Sequence, residues 1–235
     1  MHNAKEAPFL VVAALSYELQ KLKSLAQDGL ALLETGEGIQ NAERHLEAWL
    51  EQNEAQAVLS IGFAGGLSSS LQAGDIVVAR DVRNSESKPD QTLMIAAQQL
   101  RFGFPVKSGV AITSNEILWK AETKQALARA LSQNEVGFVD MESTAIAGVC
   151  GRRGLPFLIA RSITDLLDED LPLDFNLYRN DDGRVDSTRV MKGALRKPLI
   201  IKGLLELRSR SKLCADRIAA FVIGLTENLD LRSKL

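Results

Sequence analysis

Two carboxylates stand out by where they fall. Glu142 and Asp165 each follow a short apolar run, and a stretch of small residues lies between those runs. From Val136 the chain reads VGFVDMESTAIAGVCGRRGLPFLIARSITD. Val136–Val139 reads as a strand that delivers Asp140, Met141 and Glu142. A helix of small side chains follows, with Ser143, Thr144, Ala145, Ala147, Gly148 and Cys150. Gly154-Leu155-Pro156 stops it, and Phe157–Ala160 is a second strand ending in Arg161-Ser162-Ile163-Thr164-Asp165. Both acids therefore sit at C-terminal strand ends, where ligands of open α/β sheets bind. Small side chains let the helix lie close to the sheet, which holds both acids rigidly. A carboxyl group closed off from water has a raised pKa and can keep a proton near neutrality. An ionised one can accept bonds from two vicinal hydroxyls at once. The plainer alternative is that each acid only caps the segment after it.

The positioning elements follow a strand–helix rhythm. Pro8–Leu15 is an apolar run suited to a strand buried on both faces. Ser16 is placed to cap a helix over Tyr17–Gln27, with Leu19, Leu22 and Leu25 at helical spacing. Leu30–Glu34 is a second strand, and Gly36-Glu37-Gly38 turns into a helix over Ile39–Asn53. Ala57–Ile61 is a third strand, leading into a loop, Gly62-Phe63-Ala64-Gly65-Gly66. Asp75–Ala79 is a fourth strand, residues 82–91 a polar loop, and Leu93–Leu100 a short helix. Val106–Thr113 reads as a strand and Ile117–Ser132 as a helix. This alternation predicts a three-layer α/β/α sandwich around a mostly parallel, mixed sheet. Leu166–Asp182 is acidic and irregular, and Thr188–Leu229 reads as two or three helices broken near Pro198. The expectation is a single domain over 1–235 with a helical extension from about 186 to 235.

Bulk properties exclude several classes. The chain has 235 residues, net charge −2, 46% hydrophobic and 25% charged residues, as in an ordinary globular protein with a sizeable core. Near-neutral charge argues against nucleic acid as the main partner. No apolar run approaches membrane-spanning length, and the first 15 residues lack a signal-peptide cleavage pattern. Cys150 and Cys214 form no disulfide framework, which suits a reducing cytoplasm. With His2 and His45 the only histidines, zinc sites and Ser-His-Asp triads have little to draw on. Between Thr188 and Arg217 there are nine Lys or Arg against two Asp or Glu. That excess is either a solvated helical face or a dock for an anionic partner or membrane surface.

VDMESTAIAGVC followed by RSITD resembles the purine nucleoside phosphorylase and methylthioadenosine/S-adenosylhomocysteine nucleosidase superfamily. The resemblance runs from Val11 to about Asp165. Further on, Asp174-Phe175-Asn176 and Arg196-Lys197-Pro198 resemble the tail of the hopanoid-associated phosphorylase subgroup. The resemblance implies cleavage of the N-glycosidic bond of a purine nucleoside, of 5′-modified adenosine type, in a homodimer with no metal or organic cofactor. It implies that Asp165, beside Thr164, protonates the leaving base. It also implies that Glu142 grips the ribose over Met141, next to Asp140, and that Ala64 and Gly65 offer backbone to purine and ribose. Ile117-Leu118 replaces the Phe-Ile of the nucleosidase branch, so aliphatic contact replaces aromatic stacking. Glu18 matches the glutamate that activates water.

The choice between water and phosphate turns on arginine, which grips phosphate bidentately. The phosphorylase branch places arginines after the first strand and near the end of the third. Here those regions hold Ser16, Tyr17 and Glu18, and Leu59, Ser60 and Ile61. Gly36 and Gly38 form the loop that lies near the nucleophile in the family, and Arg44 is the nearby basic candidate. As a dinucleotide fingerprint, Gly36-x-Gly38 fails, because position 41 is Asn. Water is therefore the expected nucleophile. Phosphorolysis of a purine nucleoside or an adenosyl-hopanoid-type substrate is the rival within the class, and a non-catalytic nucleoside-binding protein the rival outside it. The short polar stretch Arg80–Gln91 predicts an open 5′ side.

Overall fold

A computed structural model describes residues 7–25, 29–180, 182–195 and 197–233. In chain order the elements begin with β1 (Phe9–Ala13), α1 (Ser16–Leu19), a 3₁₀ segment Gln20–Leu25, β2 (Leu30–Glu34) and α2 (Ile39–Gln52). Then come β3 (Ala57–Gly66), β4 (Ile76–Val82), α3 (Gln91–Gln99), β5 (Val106–Thr113) and α4 (Ala121–Ala128). The rest are β6 (Gly137–Asp140), α5 (Ser143–Arg153), β7 (Phe157–Asp165), a 3₁₀ turn Phe175–Tyr178, α6 (Ser187–Ala194) and α7 (Pro198–Ser233).

The sheet is mixed. β1 pairs in parallel with β2 and β3, β3 with β7, β4 with β5, and β5 with β6. Two contacts are antiparallel, β4 with β7 and the tip of β3 with β6. The sheet thus curls back on itself through β3, which touches β1, β7 and β6 in turn. β3 and β7 run in register until Ala64 pairs with Ile163; then Gly65 pairs with Asp165, leaving Thr164 as a bulge.

Side-chain alternation on the strands divides the core in two. Leu10 and Val12 face a cluster with Ala42, Leu46 and Leu50 of α2 and Ile146, Val149 and Cys150 of α5. Val11 and Ala13 face the opposite cluster, with Leu93 and Ala97 of α3 and Ile218, Phe221 and Val222 of α7. These are the three expected layers. α5 ends as its glycine predicts: Gly154 is left-handed at φ 63°, and Leu155 N–H donates to the Cys150 carbonyl at 2.9 Å.

Several boundaries differ from the sequence reading. Gly62–Gly66 is strand rather than loop, because its backbone is paired with β7 and, at the tip, with β6. The helix expected over Tyr17–Gln27 is a single α-turn followed by 3₁₀ structure, and 26–28 lie outside the described residues. Its cap is Leu15 rather than Ser16, and the Glu18 carboxylate accepts the Leu15 N–H at 2.9 Å. The helix expected from Ile117 starts at Ala121, because Asn176 holds both backbone groups of Ile117. Residues 80–82 extend β4. The break expected near Pro198 is present: α6 ends at Ala194 and Pro198 opens α7, as its fixed φ allows.

The basic C-terminal segment is partly paired. Arg210 bridges Glu169, and Arg217 lies over Phe104. Among the described residues no helix is long and apolar enough to cross a membrane, and no group of three His, Cys, Asp or Glu could hold a metal ion. Residues 1–6, which carry part of the leader reading, and Arg196 lie outside the described residues.

Candidate active site

A cleft of about 310 Å³ opens where β1, β3, β6 and β7 end. Asp165, Glu18, Glu142, Met141, Asp140, Ala64, Gly65, Ile117, Leu118 and Thr164 all line it. The sequence reading therefore placed ten residues from five parts of the chain in one cavity. Gly36, Gly38 and Arg44 are outside the lining. Gly36 N–H donates to the Ala14 carbonyl at 3.0 Å. Arg44 is exposed on α2, where its guanidinium bonds Asn41 at 3.0 Å. The side chain points along its own helix, so it is no phosphate anchor here. Gly38 contributes indirectly: its N–H donates to Glu142 Oε1 at 2.7 Å, from a backbone at φ 92° that a residue with a Cβ rarely adopts.

Glu18 projects from α1 across the start of the β3 tip. Oε2 accepts the Leu15 N–H at 2.9 Å and Oε1 the Phe63 N–H at 2.8 Å. The approach needs Gly62, where a Cβ would stand 2.9 Å from Oε1. Burial pushes the Glu18 carboxyl up to about 7, against the two N–H donors and the nearby Arg161, which favour ionisation. A group of that pKa takes and returns protons near neutral pH.

Glu142 is also driven up, first by burial and then by repulsion from Asp140; Arg161 and the Gly38 N–H oppose the shift. Asp140 lines the cleft but is committed to the scaffold. It forms a buried ion pair with Arg161, Nε at 2.9 Å and Nη2 at 2.8 Å, and accepts from Ser143 N–H and Thr113 Oγ1. Arg161 also donates to Ser60 Oγ at 3.1 Å. This arginine is 2% exposed and is not part of the lining.

Asp165 ends β7. Thr164 Oγ1 donates to Oδ1 at 2.9 Å, and Lys124 Nζ to Oδ2 at 2.7 Å. Burial raises its pKa; the Lys124 ammonium and the Thr164 hydroxyl pull it back only in part.

Sequence reasoning missed much of the apolar wall. Phe63 and Phe175 bring aromatic faces to the cleft, beside Leu171, Val185 and Leu207. Aromatic surface is therefore present although Ile117-Leu118 supplies none. The Asp174-Phe175-Asn176 motif now has a physical account. Phe175 lines the cleft, while Asn176 accepts the Ile117 N–H at 3.0 Å and donates to its carbonyl at 2.9 Å. Leu207 and Ser211 bring α7 into the wall, so the C-terminal helix is part of the cleft. Lys124 gave no signal, since its partner is 41 residues away.

Among the described residues the lining holds six carboxylates, Glu18, Glu37, Glu116, Asp140, Glu142 and Asp165, and no Lys, Arg or His. The lining thus offers an anion no cation to pair with, while Asp140 is neutralised by Arg161 and burial favours the protonated forms of Glu18, Glu142 and Asp165. Glu18 lies on the β1 and β3 side, bonded to Phe63 N–H, and Asp165 at the end of β7.

Comparison with known proteins places the chain in a family. A family model for the phosphorylase superfamily matches residues 4–196. A 5′-methylthioadenosine/S-adenosylhomocysteine nucleosidase of Halalkalibacterium halodurans is 27% identical over 170 residues, covering 63% of this chain and 73% of that one. The crystal structure of the Neisseria meningitidis nucleosidase of that name, in complex with methylthio-immucillin-A, superposes with a TM-score of 0.71 at 19% identity, covering 93% of this chain and 98% of the other. The native futalosine hydrolase of Helicobacter pylori superposes at 0.70 with 16% identity, covering 94% and 97%. The family match spans most of the chain and the same architecture recurs in these solved structures; the chain belongs to the phosphorylase superfamily.

Proposed function

We propose that this enzyme of N-glycosyl bond cleavage hydrolyses a purine nucleoside, of 5′-modified adenosine type, with water as the nucleophile. One observation carries the choice of water: the cleft is lined by six acids and no cation among the described residues. Phosphate would find nothing there to grip it. An oxocarbenium-like sugar, by contrast, is stabilised by the ionised ones among these acids. The names of the relatives agree, since two are nucleosidases and one a hydrolase.

Each residue then has a task. Glu142, held by the Gly38 N–H, accepts from the ribose hydroxyls while Met141 lies against the sugar. Asp165 gives a proton to purine N7 as the C1′–N9 bond breaks, so the electron pair leaves on a neutral base. Glu18 takes a proton from the water that attacks C1′. The base lies against Phe63, Ile117, Leu118 and Phe175, and the 5′ substituent along the apolar wall of Leu171, Val185 and Leu207.

The test is purine release from 5′-methylthioadenosine and bulkier 5′-substituted adenosines, in buffer with and without phosphate. Equal release is expected in both buffers; strict dependence on phosphate would overturn the hydrolytic reading.

A further inference from the structure

Two cations stand at the rim of the cleft with no task in the reaction just described. On α7, Leu207 and Ser211 are four residues apart and both turn into the cleft. Arg208 and Lys212, each the next residue in sequence, lie about 100° further round the helix. Both are exposed, and among the described residues neither side chain has a hydrogen-bond or ion-pair partner. They share a surface groove with Tyr17, Leu205, Ser209 and Ser211. Ser211 lines groove and cleft alike. The Tyr17 ring meets Phe63 of the cleft edge-on, with centroids 6.3 Å apart. The groove therefore continues the cleft outwards. This stretch of α7 is fixed on both sides: Arg210 bridges Glu169 at 2.5 and 3.1 Å, and Asp216 pairs with Lys21. Those acids are already paired, and Glu206, the remaining acid on this part of the helix, lies 3.9 Å from Lys202. The cleft lining offers an anion no cation, whereas the groove outside it offers two.

We propose that this groove is a subsite for an anionic terminus, a carboxylate or a phosphate, on the 5′ substituent of the nucleoside. The inference rests on the hydrolytic reading above and names the class of substrate that site takes. With Asp165 at purine N7 and Glu142 at the ribose hydroxyls, the 5′ substituent runs along Leu207. One turn further on the same stripe of α7 is Ser211, where the groove begins. A substituent that follows this stripe brings its end to Arg208 and Lys212. Its stem stays against Leu207 and Leu205, and its head meets a guanidinium, an ammonium and the hydroxyls of Tyr17 and Ser209. Arg208 can hold a carboxylate or phosphate through two parallel N–H groups, and Lys212 adds a second charge. Neither cation lines the cleft, so neither presents an anion to C1′. They act on the remote end of the substrate and select it by charge.

The test measures kcat/KM for purine release, in buffer without phosphate, from 5′-carboxypropylthio-adenosine and from its carboxamide, which has the same shape and no charge. Wild type should prefer the carboxylate about tenfold, and the preference should shrink as salt is raised. In the double variant Arg208→Gln, Lys212→Gln the ratio should fall to within about twofold of unity. In Arg208→Glu, Lys212→Glu it should invert in favour of the amide, and Lys212→Arg, which keeps the charge, should retain the wild-type preference. A ratio near unity in wild type, or an unchanged ratio in the double glutamine variant, would overturn the proposal. An unchanged ratio together with lost binding to phosphatidylglycerol vesicles would overturn it in favour of a lipid surface on this face. Absence of purine release from both nucleosides and from 5′-methylthioadenosine is a different failure, that of the hydrolytic reading on which the inference rests.

Discussion

The two ends of the cleft hold their acids by different means. At the β1–β3 end, Glu18 is satisfied by two backbone N–H groups, and the buried arginine nearby is spent on Asp140. At the β7 end, Asp165 has a cation of its own, Lys124. Backbone donors orient a carboxylate through partial charges, whereas an ammonium sets a full charge beside it. Burial raises both carboxyls, opposed at one end chiefly by backbone N–H groups and at the other chiefly by an ammonium. Under the proposed mechanism the first carboxyl works as the base and the second as the acid.

Breaking the scaffold at the first end should cost most. Arg161→Met leaves Asp140 buried without its partner, and a stability loss of about 3–5 kcal/mol is expected in denaturant titrations. A loss under about 1 kcal/mol would mean that Asp140 is solvated or neutral in place. At the second end, Asp165→Asn removes the donor and keeps the shape. Its kcat should drop about a hundredfold or more, with folding stability little changed; unchanged turnover would exclude the acid role. The mildest probe is pH. Glu18 must be ionised to take a proton from water, so kcat/KM should fall about tenfold per pH unit below about 7, where its carboxyl gains its proton. Because the acid form is the inactive one, activity rises with pH through that value. An acid limb near 4 would assign the base to another group.

Local chemistry in the sequence located both ends. The acids after β6 and β7 and the small-residue helix between them were legible, since strand, helix and glycine stop each have short-range signals. Ion pairs across the fold were not. Lys124 reads as one more polar residue of a helix, and nothing within a few positions points to Asp165. Asn176 was visible in its motif, but its grip on Ile117 depends on a contact 59 residues away. That grip also explains why the helix expected from Ile117 starts late. Gly62–Gly66 looked like a loop because three glycines weaken strand propensity; pairing on both sides outweighs that preference.

The extra residue in β7 has one more consequence. Neighbours on a regular strand project to opposite faces, yet Thr164 and Asp165 both line the same cavity. The missed step between Ala64 and Gly65 permits this, by re-aiming the last side chain of the strand. Removing Thr164 would restore the ordinary pleat and turn the carboxyl out of the cleft, besides taking away the hydroxyl that holds its Oδ1.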